Sequence, residues 1–461
     1  MRTDATATLV ESAAGALRLL PVDREFLPAW LAKAPRPFRA WVKANGFDAA
    51  PGTICTLPGK DGRVSRVLVG IDEDDPWCWA QVAAKLPPGK YRIQRKLPPH
   101  RANWAALAWA LGAYRFGRYK GEDKRALARL VWPKGAHKEE VEGTAGAIAW
   151  VRDLVNTPAS DLGPKELADE AARLARRHKA KCRVIVGHAL LKKNYPAIYT
   201  VGRASNRAPR LIDIAWGPAR APKVTLVGKG VVFDSGGLDL KPSSGMRIMK
   251  KDMGGAAHAL ALAAMIMDAK LKVRLRVLIP AVENSVSGEA MRPLDVITMR
   301  NGKTVEIGNT DAEGRLILAD CLTEADSEKP ALLIDFATLT GAARVALGPD
   351  LPALFTRDDT LATNLLAAGK EELDPMWRLP LWPPYRKWLD SKIANISSTG
   401  ESPFAGAITA ALFLADFVSR DTSWAHFDLF AWNPGARPGR PEGGEAMTIR
   451  AIYRMLVERY G

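Results

Sequence analysis

From position 223 onward the chain alternates between short apolar runs of strand length and longer stretches with apolar residues at helical spacing. Strands are predicted over 224–227, 273–282, 331–336 and 425–429, and helices over 256–267, 316–325 and 407–418. Upstream, Val141, Ala145, Ile148, Val151 and Val155 mark one face of a helix over 139–155, which Asn156-Thr157-Pro158 stops. A second helix is predicted over 165–178, opened by Pro164, with strands over 182–186 and 198–201. Alternating strands and helices imply crossover connections. The expected C-terminal fold is therefore α/β, a mostly parallel mixed sheet flanked by helices.

The first part of the chain carries a different pattern. Pro51-Gly52, Pro58-Gly59 and Pro87-Pro88-Gly89 cut it into short segments, among them a strand over 67–71 and an alanine-rich helix over 102–114. The break at Pro133-Lys134-Gly135 divides a smaller N-terminal α/β domain (1–135) from a larger domain (136–461), as a length of 461 residues leads one to expect. A Pro/Gly-rich surface loop is expected over 434–444.

Composition narrows the class. Hydrophobic content of 47% and charged content of 25% are ordinary for a globular protein. No apolar run approaches the roughly 20 residues that span a bilayer. The N-terminus carries acids and lacks the apolar stretch of a secretion signal. The four cysteines are scattered, without Cys-x-x-Cys spacing. Reduced thiols and a cytoplasmic location are expected. Net charge is +16, and much of it lies over 90–134, including Arg95, Arg101, Arg115, Arg118, Lys120, Lys124 and Arg125. The plain reading is a solvated basic face with salt bridges. No nucleic-acid module accompanies it.

The chemistry gathers in two stretches, Val227-Gly-Lys-Gly-Val-Val-Phe-Asp-Ser-Gly-Gly-Leu-Asp-Leu-Lys241 and Asn309-Thr-Asp-Ala-Glu-Gly-Arg315, with Met249-Lys-Lys-Asp-Met253 between them. Lys229 and Asp234 follow the strand over 224–227, where doubly wound sheets bind ligands. A phosphate loop is excluded, because Gly230 follows Lys229 where Ser or Thr is needed. Each acid has a bland explanation: Asp234 as a turn acceptor, and Asp252, Asp311 and Glu313 as helix caps. In an extended segment Asp311 and Glu313 would point the same way. Four carboxylates at one sheet edge would raise one another's pKa unless cations compensate. The chain has six histidines, none in these stretches, and no cysteine lies in them either. A metal site here would be oxygen-rich, with a neutral lysine amine available as a nitrogen ligand, and would suit Zn, Mn, Co or Mg. Two such ions are the hydrolase arrangement.

These stretches, together with Asn156-Thr157-Pro158, Glu283–Asp295, Ala337-Thr-Leu-Thr-Gly341 and Ala405-Gly-Ala-Ile-Thr-Ala-Ala411, resemble the leucyl aminopeptidase family (cytosol aminopeptidases, peptidase family M17) over roughly 140–430. The resemblance implies a dinuclear-metal aminopeptidase that releases the first residue of short peptides. Lys229, Asp234, Asp252 and Glu313 would hold the tighter ion, which also ligates the substrate amine. Asp234, Asp311 and Glu313 would hold the exchangeable one. A metal-bridging hydroxide would be the nucleophile. Lys241 would stabilise the tetrahedral intermediate, and Arg315 would hold a bicarbonate acting as general base. Met249, Thr338 and Gly341 would line the pocket for a Leu- or Met-like first residue. A homo-hexamer is implied as well.

Two parts depart from the family pattern. Residues 1–135 match it poorly, and 434–447 replaces the usual Lys-Gly-Ala-Thr-Gly-like run after Trp424–Asp428. His426 reads as a hydrogen-bonded core residue, and Trp424 and Trp432 as packing groups. A second reading is an architectural DNA-binding role for the basic N-terminal domain, alongside the peptidase activity or separate from it.

Overall fold

A computed structural model describes residues 4–120 and 126–461. Lys124 and Arg125 of the basic stretch lie outside the described residues. Contacts divide the chain into one unit of 1–150 with 435–442, and a larger unit of 151–434 with 443–461.

The first unit is built on a six-stranded sheet in the order Leu9–Val10, Ala128–Val131, Gly89–Ile93, Leu17–Val22, Val64–Gly70, Ile54–Pro58. All neighbours are parallel except the last pair. Helix Pro99–Ala113 carries the alanine-rich stretch, and Ala102, Ala105, Ala106, Trp109 and Ala110 are buried. Part of the basic charge is neutralised inside this unit, since Arg95 and Arg101 both pair with Glu73.

The larger unit holds a nine-stranded mixed sheet. Its parallel centre runs Trp424–Asp428, Leu332–Ala337, Lys223–Gly228, Arg274–Asn284, and the edge strands Ala353–Phe355, Arg210–Trp216 and Lys181–Val186 pair antiparallel. Val224, Leu226, Val227, Leu332, Leu333 and Ile334 are fully buried, as central strands covered on both faces require. Helices Gly254–Asp268 and Glu313–Ser327 cover the sheet, and the former is buried along all but its last residue.

The expected strand over 198–201 is instead part of helix Pro196–Gly202. Pro196 presets the first helical φ. The free amides of Ala197 and Ile198 donate to Asp320 Oδ2 at 2.8 and 3.2 Å, from a helix more than 100 positions away. The loop over 434–444 is exposed at Pro434–Arg437, but Gly443–Gly444 forms a buried two-stranded ladder with Trp432–Asn433.

Candidate metal centre

The parallel strands end on one edge, and their ends supply the charged groups. Lys229 follows strand Lys223–Gly228, Asp234 closes Gly230–Asp234, Thr338 follows Leu332–Ala337 and Asp428 closes Trp424–Asp428. Asp252 sits in the 3₁₀ turn Met249–Met253 that leads into helix Gly254–Asp268. Asp311 lies in the turn Thr310–Ala312 and Glu313 opens helix Glu313–Ser327. The acids therefore do not project from an extended segment, and they are not the caps. Asn309 caps the turn by accepting from the Asp311 amide at 2.7 Å, and no side chain caps either helix start. Asp234 does accept from the Gly236 amide at 2.9 Å, as the turn reading expected. Its other oxygen faces Lys241 Nζ at 2.9 Å.

Lys229 is 3% exposed. Its Nζ lies 2.8 Å from Asp252 Oδ2 and 2.9 Å from Glu313 Oε1, and it donates to the Thr338 carbonyl at 3.1 Å. Gly314 makes room for it, because a Cβ there would stand 2.6–2.8 Å from Lys229 Cδ, Cε and Nζ. Gly236 and Gly237 turn the chain at φ +91° and +68°, which brings Lys241 back over Asp234 and Asp311. Two further groups support the acids: Asn284, which was not singled out, and Thr338, which was expected in the first-residue pocket. Asn284 Nδ2 donates to Asp234 Oδ1 at 2.9 Å, and Thr338 Oγ1 donates to Asp252 Oδ1 at 2.7 Å. Asn284 stands at the carboxyl end of a central strand, a position that could have flagged it.

Electrostatics leave this cluster short of positive charge. At ion-pair distance, Asp234, Asp252, Asp311 and Glu313 meet only the ammonium groups of Lys229 and Lys241 among the described residues, four carboxylates against two cations, while Lys251 and Arg315 act from farther off. Burial and the neighbouring Asp234 push Glu313 well above the usual carboxylate range, and push Asp311 up to about 6. Burial opposes the charged form of Asp234 too, but Lys229 and Lys241 hold it below its ordinary value. Lys229 is raised despite its burial, because Asp252 and Glu313 surround it. Both Glu313 oxygens, Asp252 Oδ2 and Asp311 Oδ1 are buried without a hydrogen bond of proper geometry among the described residues, although lysines lie at ion-pair distance. Oxygens of Asp234, Asp252 and Glu313 lie within 4.8 Å of one another. Crowded, under-bonded oxygen donors with surplus negative charge fit divalent cations.

The cluster lies in a cavity of about 480 Å³ whose lining includes Lys241, Met249, Arg315, Thr338 and Gly341. Glu313 is fully buried at the cluster. Arg315 Nη1 donates to the Ser398 carbonyl at 2.7 Å, while its buried Nε has no partner among the described residues. Burial pulls its pKa down to about 10. His426 stays out of the cluster. It is buried, with Nδ1 2.6 Å from Asp335 Oδ1, and Trp424 Nε1 donates to Asp335 Oδ2.

Residues 149–453 match the model of the cytosol aminopeptidase family, catalytic domain. The chain belongs to that family. Residues 17–133 match the M17 aminopeptidase N-terminal domain model, so the N-terminal part does follow the family after all. Peptidase B of Klebsiella pneumoniae (strain 342) is 42% identical over 361 residues, 76% of this chain and 83% of that one. A probable cytosol aminopeptidase of Syntrophotalea carbinolica is 42% identical over 363 residues, 75% and 73% of the two chains. The crystal structure of cytosol aminopeptidase from Coxiella burnetii superimposes with a TM-score of 0.95 at 49% identity, over 98% of this chain and all of that one. The bottromycin maturation enzyme BotP in complex with Mn follows at TM-score 0.87 and 33% identity, over 96% and 99%. This M17 protein is a metal-dependent aminopeptidase of the leucyl aminopeptidase type, from a family that works with two metal ions.

Proposed function

We propose that the enzyme hydrolyses the first peptide bond of short peptides and prefers Leu- or Met-like first residues. The observation that carries this reading is the buried carboxylate cluster, with more acids than paired lysines, at the base of an open cavity. Lys229, Asp234, Asp252 and Glu313 would hold the tighter ion, with Lys229 entering as a neutral amine. Asp234, Asp311 and Glu313 would hold the second. The Mn reported in BotP makes Mn the first ion to test, with Zn beside it and Co and Mg after them. When bound, the pair supplies an activated water and polarises the scissile carbonyl.

The chain's own groups do the rest. Lys241 sits at the cavity wall with its ammonium held by Asp234 and Asp311, a fixed positive charge for the oxygen that becomes negative in the transition state. Arg315 presents an unpartnered Nε whose planar fork suits bicarbonate, and that ion would serve as the general base. Met249, Thr338 and Gly341 all line this cavity and would receive the first side chain. A cytoplasmic location and a homo-hexamer complete the proposal; no described helix is long and apolar enough to cross a membrane.

Lys241→Ala tests the mechanism. Turnover of a leucyl anilide should fall by about 10²-fold or more, with metal content and melting temperature close to those of the parent. Full activity in that variant would sink the proposed role.

A further inference from the structure

A second cavity, of about 120 Å³, lies wholly within the first unit and shares no residue with the cavity of the metal cluster. Its floor is apolar. Buried Ile71, Trp79 and Leu97 line it, and half-buried Trp104 adds a second indole ring. Trp79 comes from helix Cys78–Lys85 and Trp104 from helix Pro99–Ala113, while Ile71 and Leu97 lie beyond the ends of strands Val64–Gly70 and Gly89–Ile93. The remaining lining includes two acids, Asp72 and Glu73, and two arginines, Arg95 and Arg101. Glu73 offers one oxygen to each arginine: Oε1 lies 3.8 Å from Arg95 Nη1, and Oε2 pairs with Arg101 Nη1. Neither contact exhausts the donors. The Arg95 contact is too long for a hydrogen bond, and Arg101 Nε is buried without a partner among the described residues. Asp72 is exposed. Its Oδ1 accepts from the Asp74 amide at 2.9 Å, and its Oδ2 makes no hydrogen bond or ion pair among the described residues.

Charge and shape together restrict what fits. Two positive and two negative side chains give the lining no net charge, so a simple anion or cation gains little there. A ligand that carries both signs gains at both ends. A carboxylate suits the open donors of the two guanidinium forks. Partly exposed ion pairs such as those of Glu73 contribute little, so a ligand's carboxylate displaces them at small cost. The indole and aliphatic floor calls for an apolar group. A volume of about 120 Å³ is well below the roughly 300–1,000 Å³ of sites for drug-sized ligands, which leaves room for one residue and not for a peptide. We propose that this cavity binds one free amino acid with an apolar side chain. Its carboxylate meets Arg95 and Arg101, its ammonium meets Asp72, and its side chain lies against Trp79 and Leu97. On the aminopeptidase reading such an amino acid is the reaction product, but the binding itself does not depend on that reading.

The test is equilibrium dialysis of labelled L-leucine against concentrated Mn-loaded enzyme. The ligand is raised to about 10 mM, since a molecule of about nine heavy atoms binds in the micromolar to millimolar range. The double variant Arg95→Gln, Arg101→Gln should bind about one leucine per chain fewer than the parent. Its turnover of a leucyl anilide, measured without added leucine, should be unchanged. Reading the difference cancels whatever leucine the metal centre takes up. Asp72→Asn should weaken the same component about fivefold or more. N-acetyl-leucine keeps the carboxylate and the side chain but lacks the ammonium, and at equal concentration it should leave that component in place. Equal binding by parent and double variant overturns the proposal and leaves the aminopeptidase reading standing. Displacement by N-acetyl-leucine as complete as by unlabelled leucine also overturns it, in favour of a plain carboxylate site. A one-leucine difference in an enzyme that cleaves no anilide upholds the proposal and removes the aminopeptidase reading. Should the double variant not fold, the exposed Asp72→Asn and the N-acetyl-leucine competition still decide.

Discussion

Gly314 shows how much of this site depends on a single missing methyl group. Lys229 threads past it to reach Asp252 and Glu313, and a Cβ at 314 would stand 2.6 Å from Lys229 Cε. A lysine end usually swings aside, but this one is buried and held by two carboxylates and a carbonyl. Gly314→Ala should therefore displace the amine while sparing the fold, because 314 lies on a helix where alanine is favourable. The expected outcome is at least a tenfold loss of kcat/KM and reduced metal per chain by elemental analysis, with a melting temperature within a few degrees of the parent. Normal metal content and full activity would show that Lys229 is not positioned in this way. Sequence reading located Lys229, Asp234, Asp252, Asp311 and Glu313 because acids and lysines among glycines are conspicuous. It passed over Lys251, Asn284 and Asp428, whose meaning depends on what else the fold brings to the same edge.

Elements were legible where their hydrophobic period was long and self-contained. Helix Gly254–Asp268 and the central strands follow directly from the apolar pattern. Helix Pro196–Gly202 was not, since its start is fixed by Asp320 rather than by a neighbour in sequence. Asp320→Ala would leave two buried amides without an acceptor and should destabilise by about 1–3 kcal/mol, visible as a lower denaturant midpoint. A second element-level device is His258, buried in helix Gly254–Asp268. Its Nδ1 lies 2.6 Å from the Gly254 carbonyl, and its Nε2 accepts from the Met447 amide at 2.9 Å. That pairing requires the neutral ring, and burial lowers the pKa to about 4. The unfolded chain, with an ordinary histidine pKa of about 6.5, takes up the proton first as pH falls. The His258 contribution is then complete above about pH 6.5 and is lost as pH drops toward 4, at most about 3 kcal/mol. Thermal melts from pH 7 to 4.5 should show this slope, and His258→Gln should remove its share. An equal slope in the variant would assign the acid sensitivity to other groups.

At the scale of the whole molecule, the metal centre should set stability as well as activity. Strands Lys223–Gly228 and Gly230–Asp234 and helix Glu313–Ser327 each deliver a charged residue to one point. Without divalent cations, the carboxylates in excess of the paired lysines repel one another inside a buried volume, and Glu313 and Asp311 answer by rising toward protonation. Divalent ions held by this arrangement and not by the unfolded chain would stabilise the fold by mass action, about 2.7 kcal/mol at a hundredfold excess over Kd. Chelation should then lower the melting temperature by several degrees and abolish cleavage of a leucyl anilide, and Mn or Zn should restore both together. The two readouts separate the explanations. Recovery of stability by any divalent ion with activity restored by only some would mean that charge balance holds the fold while ligand geometry selects the working metal. A chelated enzyme that keeps both its melting temperature and its rate would mean that Lys229 and Lys241 alone balance the acids, and the carboxylate cluster would have to be read as an ion-pair network.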